Sequence, residues 1–333
     1  RLPVCLSSRS LGFMRLLILL MAIACTALAR PNILFIMSDD HASEAIGAYG
    51  SWLKKYCTTP TIDRLATEGM RFTNVCCNNS ICSPSRATIL TGQYSHKNGV
   101  PSLNGAISED SPQVAAQLQK VGYQTAVFGK WHLTSQPKGF DTYKVTRGQG
   151  SWFDPVFYTQ TGQWYGKKKK RDRVPGEKHE GYCSDVYTDQ ALQWLKARDA
   201  KKPFCMMLHF KAPHHSYEYP ERWKDYLKDT LIPEPPSLHE DVEKASPLLK
   251  GVHTWHMVDK NGYFGRHEKD KEPPMWPHDG SIRSKTSAAY QHMIHKYLRA
   301  VGAVDDNIKR VIDYLEKERI KDDTLIIYTS DQG

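Results

Sequence analysis

Cysteine is scarce, with eight residues in a chain of 333. That is too few for a disulfide framework to stand in for a hydrophobic core. Long apolar runs are scarcer still: one near the amino terminus is all there is, which excludes a polytopic membrane protein. No internal repeat is found. Apolar residues make up 40% and charged residues 24%, so a disordered or collagen-like chain is excluded as well. Acidic residues are the minority charge, 36 against 45 Lys plus Arg, for a net charge of +9. Such a surplus favours anionic partners: nucleic acid, anionic lipid or an acidic substrate. No nucleic-acid-binding motif accompanies it, so nucleic acid is not an expected partner. The length suits about two domains of roughly 150 residues, or one large α/β enzyme.

The apolar run belongs to an export signal. Met14-Arg15 precedes Leu16-Leu17-Ile18-Leu19-Leu20, and Ala27-Leu28-Ala29 supplies a small-residue cleavage site. Residues 1–29 therefore read as leader and signal peptide, and 30–333 as the mature chain. An exported protein, periplasmic or secreted and without a stable membrane anchor, is expected. A buried core helix is the bland alternative for the same run.

Beyond Arg30 the pattern alternates between strand and helix. Residues 32–38 form a continuous apolar run ending in Asp39-Asp40, as a buried strand does. Thr59-Pro60 predicts a helix through Glu68, stopped by Gly69, and Ser111-Pro112 predicts another through Val121. Strands are predicted over 124–128, 204–210 and 324–329, the last also buried. Helices are predicted over 184–198 and 287–318. This order argues for an α/β fold, a mostly parallel sheet with helices on both faces. Ligands of such sheets bind outside the carboxyl ends of the strands. Asp39, Asp40 and Asp331 all fall there. The basic run 167–173 reads as a solvated loop, and 232–286 as a long insertion.

Four segments carry chemistry. In Ser80-Ile81-Cys82-Ser83-Pro84-Ser85-Arg86-Ala87-Thr88-Ile89-Leu90-Thr91-Gly92, Cys82 stands just before a predicted helix, with Pro84 in its first turn and Gly92 as its stop. A helix amino terminus favours negative charge, and Arg86 lies one turn on. Taken alone, Cys82 is most often a small buried hydrophobe. The second segment, Gly122-Tyr123-Gln124-Thr125 with Gly129-Lys130-Trp131-His132, places a lysine and a histidine past a strand. Asp39, Asp40, Asp331 and Gln332 form the third, an all-oxygen set at one sheet edge. Such a set selects calcium or magnesium over zinc. The fourth is Lys211-Ala212-Pro213-His214-His215.

These segments together resemble the signatures of the sulfatase family, and the resemblance runs from about Arg30 to Gly333. The first matches the C-x-P-S-R signature across its length; the second matches the other signature, with Phe128 where a smaller residue is usual. The resemblance implies an alkaline-phosphatase-like sulfatase fold. It implies that Cys82 becomes formylglycine, through a formylglycine-generating or anaerobic sulfatase-maturing enzyme. It implies one calcium ion at Asp39, Asp40, Asp331, Gln332 and the modified Cys82. Arg86 and Lys130 are implied to neutralise the sulfate, His214 to protonate the leaving oxygen, and His132 to assist release of sulfate from a covalent intermediate. Ser38–Ala42, Tyr94–Val100, Gly148-Gln149-Gly150 and Thr329–Gly333 resemble a bacterial branch. That branch includes N-acetylglucosamine-6-sulfatases and mucin-desulfating sulfatases, so a sulfated glycan is the expected substrate. The family pattern continues past Gly333, so the expectation is an amino-terminal catalytic domain with its carboxy-terminal subdomain missing. Two alternatives stay open: a phosphate or phosphonate ester hydrolase of the same superfamily, and a non-catalytic glycan-binding relative.

Overall fold

The computed structural model describes residues 30–161, 164, 176–240 and 276–333. The export signal, the basic run 167–173 and most of the 232–286 segment lie outside these residues.

Among the described residues, seven strands form one sheet in the order β5-β4-β3-β2-β6-β1-β7. They are β1 (Asn32–Asp39), β2 (Gln124–Lys130), β3 (Thr142–Thr146), β4 (Val156–Thr159), β5 (Glu177–Lys178), β6 (Phe204–Pro213) and β7 (Thr324–Ser330). The five strands from β3 to β7 in that order pair in parallel; β4 and β5 add an antiparallel edge. The α-helices among the described residues are α1 (Pro60–Glu68), α2 (Cys82–Thr91), α3 (Ser95–Asn98), α4 (Val114–Lys120), α5 (Cys183–Ala197) and α6 (Ile282–Lys317).

Strand period two sends alternate side chains to opposite faces. In β6, Phe204, Met206, Leu208 and Phe210 join one core with Ala191 and Leu195 of α5 and Val304, Ile308 and Val311 of α6. Cys205 and Met207 join the other, with Ala87 and Leu90 of α2 and Ala115 of α4. Helices thus cover both faces, as expected. Each fully buried aliphatic side chain contributes about 1.5–3 kcal/mol by leaving water. Truncating Leu34 or Leu208 to Ala would cost about 2–5 kcal/mol.

The structure corrects several sequence-based bounds. α4 begins at Val114 with Gln113 as its N-cap, later than the Ser-Pro pair suggested. Thr59 precedes α1, but its hydroxyl caps nothing. It instead accepts from Gly47 N at 2.9 Å and donates to Asp63 at 3.1 Å. The amino-terminal amides of α1 are taken by Asp305 of α6, at 3.0 Å from Thr61 and 2.9 Å from Ile62. β6 runs on to Pro213, so Lys211-Ala212-Pro213 closes the strand rather than following it. β7 is not a buried strand. Among the described residues it pairs on one side only, with β1, and Leu325 is 52% exposed. An apolar run reads the same at a sheet edge and at its centre.

Candidate active site

The carboxyl ends of β1, β2, β6 and β7 converge on the amino terminus of α2. β1 ends in Asp39, fully buried; Asp40 turns the chain in a left-handed conformation, φ 61°. β7 delivers Asp331, buried, directly beside it, and Asp40 N donates to Asp331 Oδ1 at 3.2 Å. β2 ends in Lys130, whose ammonium pairs with Asp39 Oδ2 and donates to Gln149 Oε1 at 2.6 Å. Cys82 is the first residue of α2 rather than the residue before it, with Ile81 as the N-cap. Its Sγ lies 3.4 Å from both Asp39 Oδ1 and Gln332 Nε2. Arg86, one turn on, is buried against Asp331, with Nε and one terminal nitrogen both 3.0 Å from Oδ2. It also reaches Asp39 at 3.7 Å and donates to Lys130 O at 2.8 Å. His214, just past β6, places Nε2 3.6 Å from Asp40 Oδ2. His132 is buried, its carbonyl accepting from Ser83 Oγ at 2.6 Å. All nine residues singled out in the sequence are therefore gathered at one sheet edge.

Electrostatics follow from burying two cations with two carboxylates, Asp39 and Asp331, while Asp40 stays partly exposed. Burial alone would raise Asp39, but the adjacent Lys130 and Arg86 outweigh it and hold its carboxyl well below the usual range. Burial raises Asp331, Arg86 only partly opposing it, with the Asp39 charge adding to the rise. Burial, with Lys130 and Arg86, pushes His132 down to about 3, so its ring is neutral. His214 is also lowered, by burial first, with Asp39 pulling the other way. Burial and the Asp39 charge push the Cys82 thiol up to about 12. The helix terminus alone would have favoured a thiolate; here burial and the carboxylate win. As an unmodified thiol, Cys82 is no nucleophile at neutral pH.

The cluster fits a hard cation. Oxygens of Asp39, Asp40 and Asp331 lie within 4.8 Å of one another. Gln332 donates its Nε2 to Asp40 Oδ1 at 2.7 Å, leaving a buried Oε1 without a partner. An orphaned buried acceptor beside three carboxylates is the arrangement a calcium-sized ion completes.

Some members of the site were not legible in the sequence. Gln149 takes Lys130; it lay within a noted Gly-Gln-Gly segment but carried no signal of this contact. Ser85 Oγ donates to Asp331 O, and Cys77 Sγ lies 3.3 Å from the same oxygen. Tyr297 of α6 accepts from Ala42 N and donates to Asp40 O, both at 2.8 Å, bracketing the strained Asp40.

Comparison with known proteins agrees with this geometry. The family described as Sulfatase matches residues 31–333. The chain is 36% identical to N-acetylglucosamine-6-O-sulfatase of Bacteroides thetaiotaomicron over 91% of its own length and 58% of that protein's. It thus spans less than two thirds of that relative. It superposes with a TM-score of 0.73, at 34% identity, on a protein solved in complex with its substrate D-glucosamine-2-N,6-O-disulfate. That match covers 91% of this chain and 66% of the other. Phosphonate monoester hydrolase of Agrobacterium radiobacter shares the fold, with a TM-score of 0.62 at 21% identity, over 91% of this chain and 62% of that one.

Proposed function

The chain belongs to the sulfatase family, and we propose that it acts in hydrolysing sulfate esters of glycans, with the 6-O-sulfate of N-acetylglucosamine as substrate. One observation carries this reading: Cys82 stands between Asp39 and Gln332 at the mouth of a buried cluster holding two cations and an orphaned amide oxygen. The sugar is supported by the name of one similar protein, an N-acetylglucosamine-6-O-sulfatase, and by a similar solved structure bound to a 6-O-sulfated glucosamine. The positive net charge agrees, since it steers a polyanion towards the protein.

Asp39, Asp40, Asp331 and Gln332, with the modified Cys82, would hold calcium, which supplies Lewis-acid polarisation of sulfate oxygens. Formylglycine made from Cys82 by a maturing enzyme would supply, as its hydrate, a nucleophilic hydroxyl at this position. The chain's own residues do the rest. Lys130 and Arg86 present fixed positive charge to the sulfate; preorganised charge of this kind is commonly the largest catalytic term. Asp39 and Asp331 hold both cations in place. His214 donates a proton from Nε2 to the leaving sugar oxygen as general acid. His132, neutral through burial, accepts a proton as sulfate departs. Residues 14–29 direct export, and no helix among the described residues is long and apolar enough to cross a membrane.

The test is desulfation by the full-length protein across 6-sulfated N-acetylglucosamine, chondroitin, heparin and carrageenan fragments. The 6-sulfated sugar is expected to react fastest. A preference for 2-O-, 4-O- or N-sulfate overturns the substrate. Faster cleavage of a phosphonate monoester at matched concentration overturns the reaction itself.

A further inference from the structure

β6 departs from regular pairing at its carboxyl end. Met37 of β1 faces His209, but Asp39 faces Pro213, so β6 carries extra residues between these pairs. Lys211 is one of them. A bulge re-aims side chains and is common beside active sites. Lys211 is 3% exposed, and its Nζ lies 4.5 Å from the centroid of the Trp152 ring. No carboxylate among the described residues pairs with it. Trp152 is itself fixed, stacked on Tyr182 at 6.4 Å and 15°, with its carbonyl accepting from Cys183 N at 2.8 Å. The same loop supplies Gln149 to Lys130, so one segment sets two lysine heads.

His209 faces Met37 of β1 and Gly129 of β2, so Lys211, two residues on, stands at the strand ends that carry Asp39 and Lys130. Burial comes first and the Lys130 charge second in pushing its ammonium down to about 8, while Cys183, Asp39 and Cys82 act in the opposite direction. A buried ammonium resting on a ring face, without a carboxylate, carries a desolvation cost that an arriving anion offsets. We propose that Lys211 is a further anion-binding residue of this site, its ammonium contacting the sulfate group of the substrate over Cys82. This rests on the sulfatase reading and names a contact which that reading did not include.

The test uses Lys211→Met and Lys211→Arg in the full chain, with inorganic sulfate as the probe. Sulfate affinity is read by calorimetry and thermal shift; KM and kcat are read on the 6-sulfated sugar. Lys211→Met is expected to weaken sulfate binding about 10- to 100-fold, the range for a hydrogen bond to a charged group. KM should rise by more than kcat falls. Lys211→Arg should keep sulfate affinity within about 5-fold, because charge and reach persist. Without sulfate, Lys211→Met should melt at or above the wild-type temperature, since a buried charge without a counter-ion has been removed. Unchanged sulfate affinity in Lys211→Met overturns the proposal. So does a Met variant that melts lower or fails to fold, because Lys211 would then be structural. If the wild type neither binds sulfate nor hydrolyses the ester, the sulfatase reading itself fails. If the wild type does both and Lys211→Met does so equally well, only this contact fails.

Discussion

Cys82 shows what a single residue owes to its surroundings. Burial and Asp39 keep its thiol protonated, so catalysis through an unmodified Cys82 is disfavoured. Active preparations are therefore expected to carry an aldehyde at this position. Intact-peptide mass should fall by about one sulfur-for-oxygen exchange and two hydrogens, in line with oxidation chemistry at a reactive-site cysteine. Cys82→Ala should abolish turnover, and full activity in that variant would falsify the mechanism. His209 makes a pH prediction. It is 1% exposed within β6, and burial, aided by Arg86, pushes it down to about 3 from 6.5. The unfolded chain therefore binds a proton below pH 6.5 that the folded chain refuses. Stability is fully present above 6.5 and falls as pH drops towards 3, by about 1.4 kcal/mol per unit for each such histidine. Urea unfolding from pH 7 to 4 measures the slope. His209→Leu should flatten it by one proton; an unchanged slope counts against the assignment.

Elements meet at positions where a side chain or a missing one decides the join. Gly129, at φ 101° in β2, immediately precedes Lys130. A Cβ there would lie 2.0 Å from the His209 carbonyl oxygen of β6. Neither strand can move without opening the sheet. Gly129→Ala is expected to cost more than about 3 kcal/mol, as overpacking and left-handed strain combine. Denaturant midpoints measure the loss, and a change under about 1 kcal/mol would contradict this account. Asp305 joins α6 to α1 by accepting from Thr61 N and Ile62 N. Asp305→Ala leaves those buried amides unpaired and should lower stability by about 1–3 kcal/mol, with no change in sulfate affinity. Strand and helix existence was legible from apolar periodicity and Gly/Pro punctuation. The contacts of Gly129 and Asp305 were not, because each partner lies far along the chain.

At the scale of the whole molecule, the three carboxylates come from opposite ends of the described chain, β1 and β7, which are neighbours in the sheet. Closing a cation between them ties the first strand to the last. Calcium at 100 times its dissociation constant should add about 2.7 kcal/mol, because the unfolded chain has no such site. Melting temperature should rise with calcium and fall with chelator, together with activity. Indifference of both, with metal removal verified by elemental analysis, would count against the site. The net charge of +9 makes a second expectation: association with a sulfated polymer should slow steeply as salt rises.

The α/β class, the strand-end placement of Asp39, Asp40 and Asp331, and a helix close after Ile81 were legible in the order of residues alone. Those are local properties, written in apolar runs, Gly and Pro positions and the residue types at strand ends. Tertiary structure decided what sits beside what. It set β7 at a sheet edge, and it drove the Cys82 thiol up by burial where the helix end alone favoured charge. It gave Lys130 its Gln149 and turned Lys211 onto Trp152 through a bulge in β6. The physical reason is common to all of these. Burial and partner choice depend on residues distant in the chain, and no local pattern encodes them.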